Sequence, residues 1–149
     1  MEDLASAYEC SGDKELAIQN FEASLEINQE FENERPLAVL NSMNKMGRTY
    51  SRLGENVKSI EWFEKAMEYC KKKFGENNDK IALQWILLGM LFEKSGEFDK
   101  AIQYFEKAHQ IEVDANNGRH TKQSAETLSQ KGRCIAAAGR LEEGLEFCK

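Results

Sequence analysis

Few side chains in this 149-residue sequence are placed for bond-making chemistry. The only histidines are His109, late in a predicted helix, and His120, in a predicted loop. Neither has a cysteine or carboxylate at the spacing of a recognised zinc pattern. The four cysteines, Cys10, Cys70, Cys134 and Cys148, are widely separated and form no C-x-x-C. They read as free thiols of a reducing compartment rather than as metal ligands or a redox pair. No G-x-x-x-x-G-K-[ST] or G-x-G-x-x-G loop is present to cradle a phosphate. The runs Glu142-Glu143 and Lys71-Lys72-Lys73 read as solvated faces, and the lysines also complement a helix C-terminus. Trp62 and Tyr69, seven residues apart on one helix, suit core or inter-repeat packing, or else an outer partner surface. The expectation is a non-catalytic chain with no cofactor and no metal, whose chemistry is recognition.

Composition narrows what could be recognised. There are 26 acidic and 20 basic side chains, a formal charge of −6, which argues against nucleic acid as a partner. The hydrophobic set is 41% and the charged set 31%, with a single proline, a balance that suits a folded helical chain. No stretch approaches the roughly 20 apolar residues needed to span a bilayer. The most apolar run, Ile81 to Met90, is interrupted by Gln84 and reads as a helix buried inside protein. The opening Met1-Glu2-Asp3-Leu4 lacks the basic start of a secretion signal, so the expected location is the cytoplasm, with no membrane partner.

The elements that position these residues come from an internal repeat. Gly12, Gly54, Gly96 and Gly139 recur at intervals of 42, 42 and 43 residues, each within a short turn segment. Ahead of the glycines stand Met1, Leu4, Ala5, Tyr8; then Met43, Met46, Gly47, Tyr50; then Trp85, Leu88, Gly89, Phe92. The spacing of three, one and three places each set on one helical face. After the glycines come Ala17 and Phe21, Ser59 and Phe63, Ala101 and Phe105, again one face, followed three residues later by Ser24, Ala66 and Ala108. Each unit is therefore helix, tight turn, antiparallel helix. A glycine inside a helix costs about 1 kcal/mol, so its recurrence at Gly47, Gly89 and Gly132 implies a compensating close approach of two helices.

These residues resemble the tetratricopeptide repeat, W-x2-L-G-x2-Y … A-x3-F. Trp85-x-x-Leu88-Gly89-x-x-Phe92 and Ala101-x-x-x-Phe105 match it almost letter for letter. The resemblance implies an all-α fold, an α-solenoid of antiparallel helix pairs wound as a superhelix, with residues 1–149 as one array. The repeats fall at about 1–29, 36–73, 79–114 and 121–149, the last degenerate or truncated, with Lys131, Ile135, Gly144 and Cys148 at the motif positions. The period exceeds the family's usual 34 or so. The surplus suits about one extra turn per helix, and the chain is similar to the long repeats of kinesin light chains, including the linker Phe74-Gly75-Glu76-Asn77-Asn78-Asp79.

Helices are predicted at about 2–11, 13–29, 36–53, 55–73, 79–95, 97–114, 121–138 and 140–149, with Pro36 in a first turn and Asp79 and Thr121 as N-caps. The first helix starts at its middle and the last lacks a polar capping helix, which leads to the expectation of a piece of a longer array or of ends covered by a partner.

The resemblance also implies where a ligand sits: along one side of each first helix. Carried across, those positions are Asn41, Asn44, Arg48 and Arg52, then Leu83, Ile86, Met90 and Lys94, then Glu126, Ser129 and Arg133, with Glu2 and Ser6 in the first unit. An apolar centre with arginines on its flanks suits a protein or peptide segment bearing an apolar anchor and acidic side chains. Leu83 and Ile86 equally suit packing against neighbouring helices. The family's clamp for chaperone C-termini is not expected, because Ile86 and Met90 break its polar set. The reading is a protein-interaction adaptor. The alternatives are a structural scaffold segment of a larger transport or cytoskeletal assembly, or a regulatory sensor module of a longer protein.

Overall fold

A computed structural model describes residues 14–139. The expected helices at 2–11 and 140–149, the turn at Gly12, the groove positions Glu2 and Ser6, and Cys10 and Cys148 lie outside the described residues. Six helices and no strand occur among the described residues: α1 Lys14–Glu30, α2 Pro36–Arg52, α3 Asn56–Phe74, α4 Asp79–Lys94, α5 Phe98–Ala115 and α6 Lys122–Ala137. The fold is all-α and of the α-solenoid class of helix pairs. The chain divides into two compact units, Met1–Tyr69 and Cys70–Lys149, with the division falling within α3. The surplus length of the repeat lies in the helices, 16 to 19 residues each from α2 to α5, and the links between these remain short.

The turn glycines act as their positions predict. Gly54 and Gly96 both have φ of +78°, a left-handed conformation that a Cβ disfavours. Gly54 N–H donates to Ser51 O and Glu55 N–H to Tyr50 O; Gly96 N–H donates to Glu93 O and Glu97 N–H to Phe92 O. This paired pattern satisfies the last carbonyls of α2 and α4 and turns the chain directly into the next helix.

Inside each pair, small residues and one phenylalanine set the approach. A Cβ built on Gly47 would lie 2.7–2.9 Å from the Phe63 ring, and one on Gly89 would lie 2.8–3.0 Å from the Phe105 ring. Phe63 is 2% exposed and Phe105 fully buried, so neither ring has room to retreat. Ser59, at the small position of α3, is also fully buried, and its hydroxyl donates to the Gly47 carbonyl at 2.6 Å. In the first unit Ala17, Phe21, Met46 and Tyr50 form the core, with Ile18, Leu53 and Trp62 packed on it. Trp62 therefore has the packing role, and Lys65 Nζ lies 4.7 Å from its ring centroid.

Caps settle the links. The N-cap of α4 is Asn78 rather than the expected Asp79. Asn78 Oδ1 accepts from Lys80 N–H at 2.9 Å and Ile81 N–H at 3.2 Å, while its Nδ2 donates to the carbonyls of Phe74 and Gly75. An amide carries both an acceptor and donors and so serves the end of α3 and the start of α4 together; a carboxylate could serve only the second. Asp79 instead occupies the first turn of α4, where its charge suits the helix dipole. Thr121 caps α6 as expected, in a reciprocal box with Ser124, and Pro36 opens α2.

The second unit buries two polar groups deeply. Gln84 is fully buried and Glu112 is 2% exposed, and the side-chain oxygens of both, with the Gln84 amide nitrogen, lack a hydrogen-bond partner of good geometry among the described residues. Gln84 thus breaks the apolar run without reaching water. Burial pushes the Glu112 carboxyl above the usual carboxylate range; nearby Thr127 and Gln123 side chains oppose this only in part, and the Thr127 hydroxyl is already donated to the Gln123 carbonyl.

Two outcomes follow. Gly89→Ala should lower stability by about 1–2 kcal/mol, the overpacking against Phe105 exceeding the gain in helix propensity. In a Phe105→Leu background the same change should cost measurably less, as a double-mutant cycle by urea denaturation would show. For Glu112 the folded-state pKa is raised, so its contribution is fully present below the ordinary carboxylate range and is lost as pH rises through the raised value. Glu112→Gln should therefore be neutral or stabilising at pH 7, and Tm should fall less from acid to neutral pH in this variant than in the parent chain.

Candidate functional site

In the second unit the positions expected to face a ligand fall on α4. Nine of its residues are buried, among them Ile81, Ala82, Leu87, Leu88, Leu91 and Phe92, which pin the helix on most of its circumference. Leu83 and Met90 escape this, at 37% and 47% exposure. They stand seven residues apart, two helical turns, on one side of α4. Ile86, between them in register, is only 9% exposed and belongs mainly to the core. Lys94 is exposed one turn beyond Met90. From α6, Ser129 and Arg133 are exposed, and Glu126 pairs with Lys122. Arg133 Nη2 lies 3.4 Å from Glu93 of α4, an exposed ion pair between the two helices. That pairing was invisible in the repeat pattern, because residues 40 apart in sequence meet only in the folded chain.

In the first unit, α2 carries the corresponding positions. Asn41, Arg48 and Arg52 are exposed. Asn44 is buried at 6% exposure, and its Oδ1 has no hydrogen-bond partner among the described residues. Arg52 also lines a small recess of about 120 Å3 with Lys14, Thr49 and Leu53.

The remaining candidates for chemistry are quiet. Cys70 and Cys134 are free and fully buried. Burial pushes both thiols up, that of Cys134 to about 11, away from the thiolate form that reacts or binds metal. The His109 and His120 rings stack with centroids 5.6 Å apart, and His109 Nδ1 lies 3.2 Å from the Ser124 carbonyl. Burial, more than the charges of His120 and Lys131, holds His109 below its ordinary pKa. Among the described residues no group of three or more histidines, cysteines, aspartates or glutamates could hold a metal ion, and no helix is long and apolar enough to cross a membrane.

A second cluster was not singled out from sequence. Trp85, Tyr104 and Phe92 stack in a row, with centroids 5.4 and 5.2 Å apart. Lysines stand over these rings: Lys107 and Lys71 over Trp85, and Lys100 over Phe92. Part of this was available in the period, since Lys58 over Tyr50 and Lys65 over Trp62 stand one repeat before Lys100 over Phe92 and Lys107 over Tyr104.

Stacked helix pairs of this kind define a helical-repeat protein of the α-solenoid class. Sequence profiles described as tetratricopeptide repeat match residues 38–111 and 2–31, and the chain belongs to the tetratricopeptide-repeat family. Repeats of this family generally serve as protein–protein interaction modules and are typically non-catalytic. Among solved structures, the chain is similar to BtubC (BKLC) from P. vanneervenii, with 21% identity and a TM-score of 0.79, over 98% of this chain and 58% of that one. It is also similar to the nearly identical TPR-like repeats of a kinesin-light-chain candidate from Podosopora anserina, with 18% identity and a TM-score of 0.75, over 98% and 69% of the two chains. At these identities the likeness is one of fold. No curated protein matches the chain by sequence.

The thiols provide a direct check of the site's quietness. Iodoacetamide at pH 8 should leave Cys70 and Cys134 unmodified in the folded chain and alkylate both in denaturant, as peptide mass spectrometry would report. Labelling of Cys134 in the folded state would mean that it is accessible and ionised.

Proposed function

We propose that the chain is a non-catalytic adaptor that holds a segment of another protein along α4 and α6 of its second unit. The observation that carries this reading is the exposure of Leu83 and Met90 on a helix otherwise buried. Two large apolar side chains on one line, two turns apart, suit the anchors of an extended or helical segment. Lys94, Ser129 and Arg133 beside them supply charge and hydrogen bonds for acidic side chains. Arg133 can turn from Glu93 to a ligand at little cost, because an exposed ion pair contributes at most about 1 kcal/mol. In the first unit Asn41, Arg48 and Arg52 offer a polar, basic strip of the same kind, with Asn44 beneath the surface. A cytoplasmic setting accords with the free thiols of Cys70 and Cys134.

A second reading, a scaffold or regulatory segment of a longer assembly, draws on Ile27, Phe31 and Leu37, which are 45%, 49% and 47% exposed near the link from α1 to α2. The two separate by mutation. Leu83→Glu and Met90→Glu, at exposed positions, should shift stability by only about 0.5 kcal/mol yet remove proteins that the immobilised chain retains from a cytosolic extract. Ile86→Glu is a poor probe because it would unfold part of the core. A catch unchanged by Leu83→Glu and Met90→Glu but lost with Phe31→Glu would move the working surface to the first unit.

A further inference from the structure

We infer that the cleft around Trp85 is a second binding site, one that receives a glutamate side chain from an acidic peptide segment. It uses a different face of α4 from the proposed adaptor surface: Trp85 is two residues from Leu83, about 200° around the helix. It therefore goes beyond that reading and does not depend on it.

The cleft is an open recess of about 380 Å3 within the second unit, where the end of α3, the following link, α4 and α5 meet. Its apolar surface comes from Trp85 and Ile111, with the buried Ile81 beneath them. Lys71 from α3 and Lys107 from α5 bring their ammonium groups to 5.9 and 4.8 Å from the indole centroid. Neither ammonium is within ion-pair distance of a carboxylate among the described residues. The cleft's own acids, Glu76 and Asp114, form no ion pair with them, and Asp114 accepts a hydrogen bond from the Gln110 amide at 2.8 Å. Two converging lysines without carboxylate partners are notable on a chain of net charge −6.

Repeat packing alone does not account for this constellation. One period earlier, Lys107 corresponds to Lys65, but Trp85 corresponds to Met43 and Lys71 to Gln29. Among the described residues, only the second unit brings two lysines from different helices to one indole. A glutamate fits what they present: its methylenes lie on the indole and Ile111, and its carboxylate reaches the two ammonium groups in charge-assisted hydrogen bonds. An indole beside lysines could also stack a nucleobase, but the acidic remainder of the chain repels a phosphate backbone.

The test uses the indole N–H cross-peaks of 15N-labelled wild-type chain, one from Trp62 and one from Trp85, assigned by the peak that Trp85→Phe removes. The probes are a capped heptapeptide of glutamates around a central leucine, its glutamine counterpart, and an octathymidylate. The glutamate peptide should shift the Trp85 peak saturably and leave the Trp62 peak in place. Lys71→Gln combined with Lys107→Gln, both exposed and so compatible with folding, should weaken that binding at least about tenfold. Leu83→Glu should leave it unchanged. The proposal is overturned if the Trp85 peak stays in place, if the glutamine peptide or the oligonucleotide moves it equally, if the lysine variant binds like wild type, or if Leu83→Glu abolishes the shift, which would put the peptide on the adaptor surface instead.

Discussion

A phenylalanine ring pressed against bare helix backbone sets the geometry of the α2–α3 and α4–α5 pairs. Phe63 covers Gly47 and Phe105 covers Gly89 so closely that a single methyl group would overlap the ring. The contact fixes how near the two helices of a pair come. That distance decides which of their other side chains can meet. With it in place, Ser59 reaches the Gly47 carbonyl, and Tyr104 reaches both Trp85 and Phe92. The helix-propensity penalty of each glycine, about 1 kcal/mol, is offset by the burial of a whole aromatic side chain against it.

A helix pair fixed in this way still has ends to satisfy and faces to fill. The Gly54 and Gly96 turns close the first helix of a pair with two backbone hydrogen bonds each, and Asn78 joins the second helix to the next pair by donating backward and accepting forward. These devices depend on few residues and leave the helix surfaces free to vary. The second unit shows the variation most plainly. It accepts a fully buried Gln84 and a nearly buried Glu112, while leaving Leu83 and Met90 in solvent. Burial of polar groups and exposure of apolar ones both run against stability, and the apolar pair is the more informative, because it gives a partner something to cover.

Charge follows the same division between repeat and exception. Lysines over aromatic rings recur at the period of the fold, at Lys58 and Lys100 and again at Lys65 and Lys107. Such contacts at exposed sites contribute about 0.5–1 kcal/mol each and shield ring faces from water. Lys71 over Trp85 has no counterpart one repeat earlier, where Gln29 and Met43 stand. A position that departs from its own repeat is where a specific ligand can be read, since the repeat itself explains the positions that agree.

What the sequence determined by itself was everything that repeats. The interval of the turn glycines, the helical spacing of Met46, Gly47 and Tyr50 or Leu88, Gly89 and Phe92, and the small-residue-to-phenylalanine step of four specify helix pairs whose boundaries agree with the observed ones to within a residue or so. These features are local, and each is written several times over, so one degenerate copy does not obscure them. What only the tertiary structure decided was the environment of single side chains. Residues of the same expected face parted company: Leu83 and Met90 stayed in water while Ile86 went into the core, and Asn44 sank while Arg48 stayed exposed. Arg133 found Glu93, and Trp85 gained lysines from α3 and α5. Exposure and pairing depend on residues brought close from distant parts of the chain, and helical periodicity carries no information about which neighbour arrives.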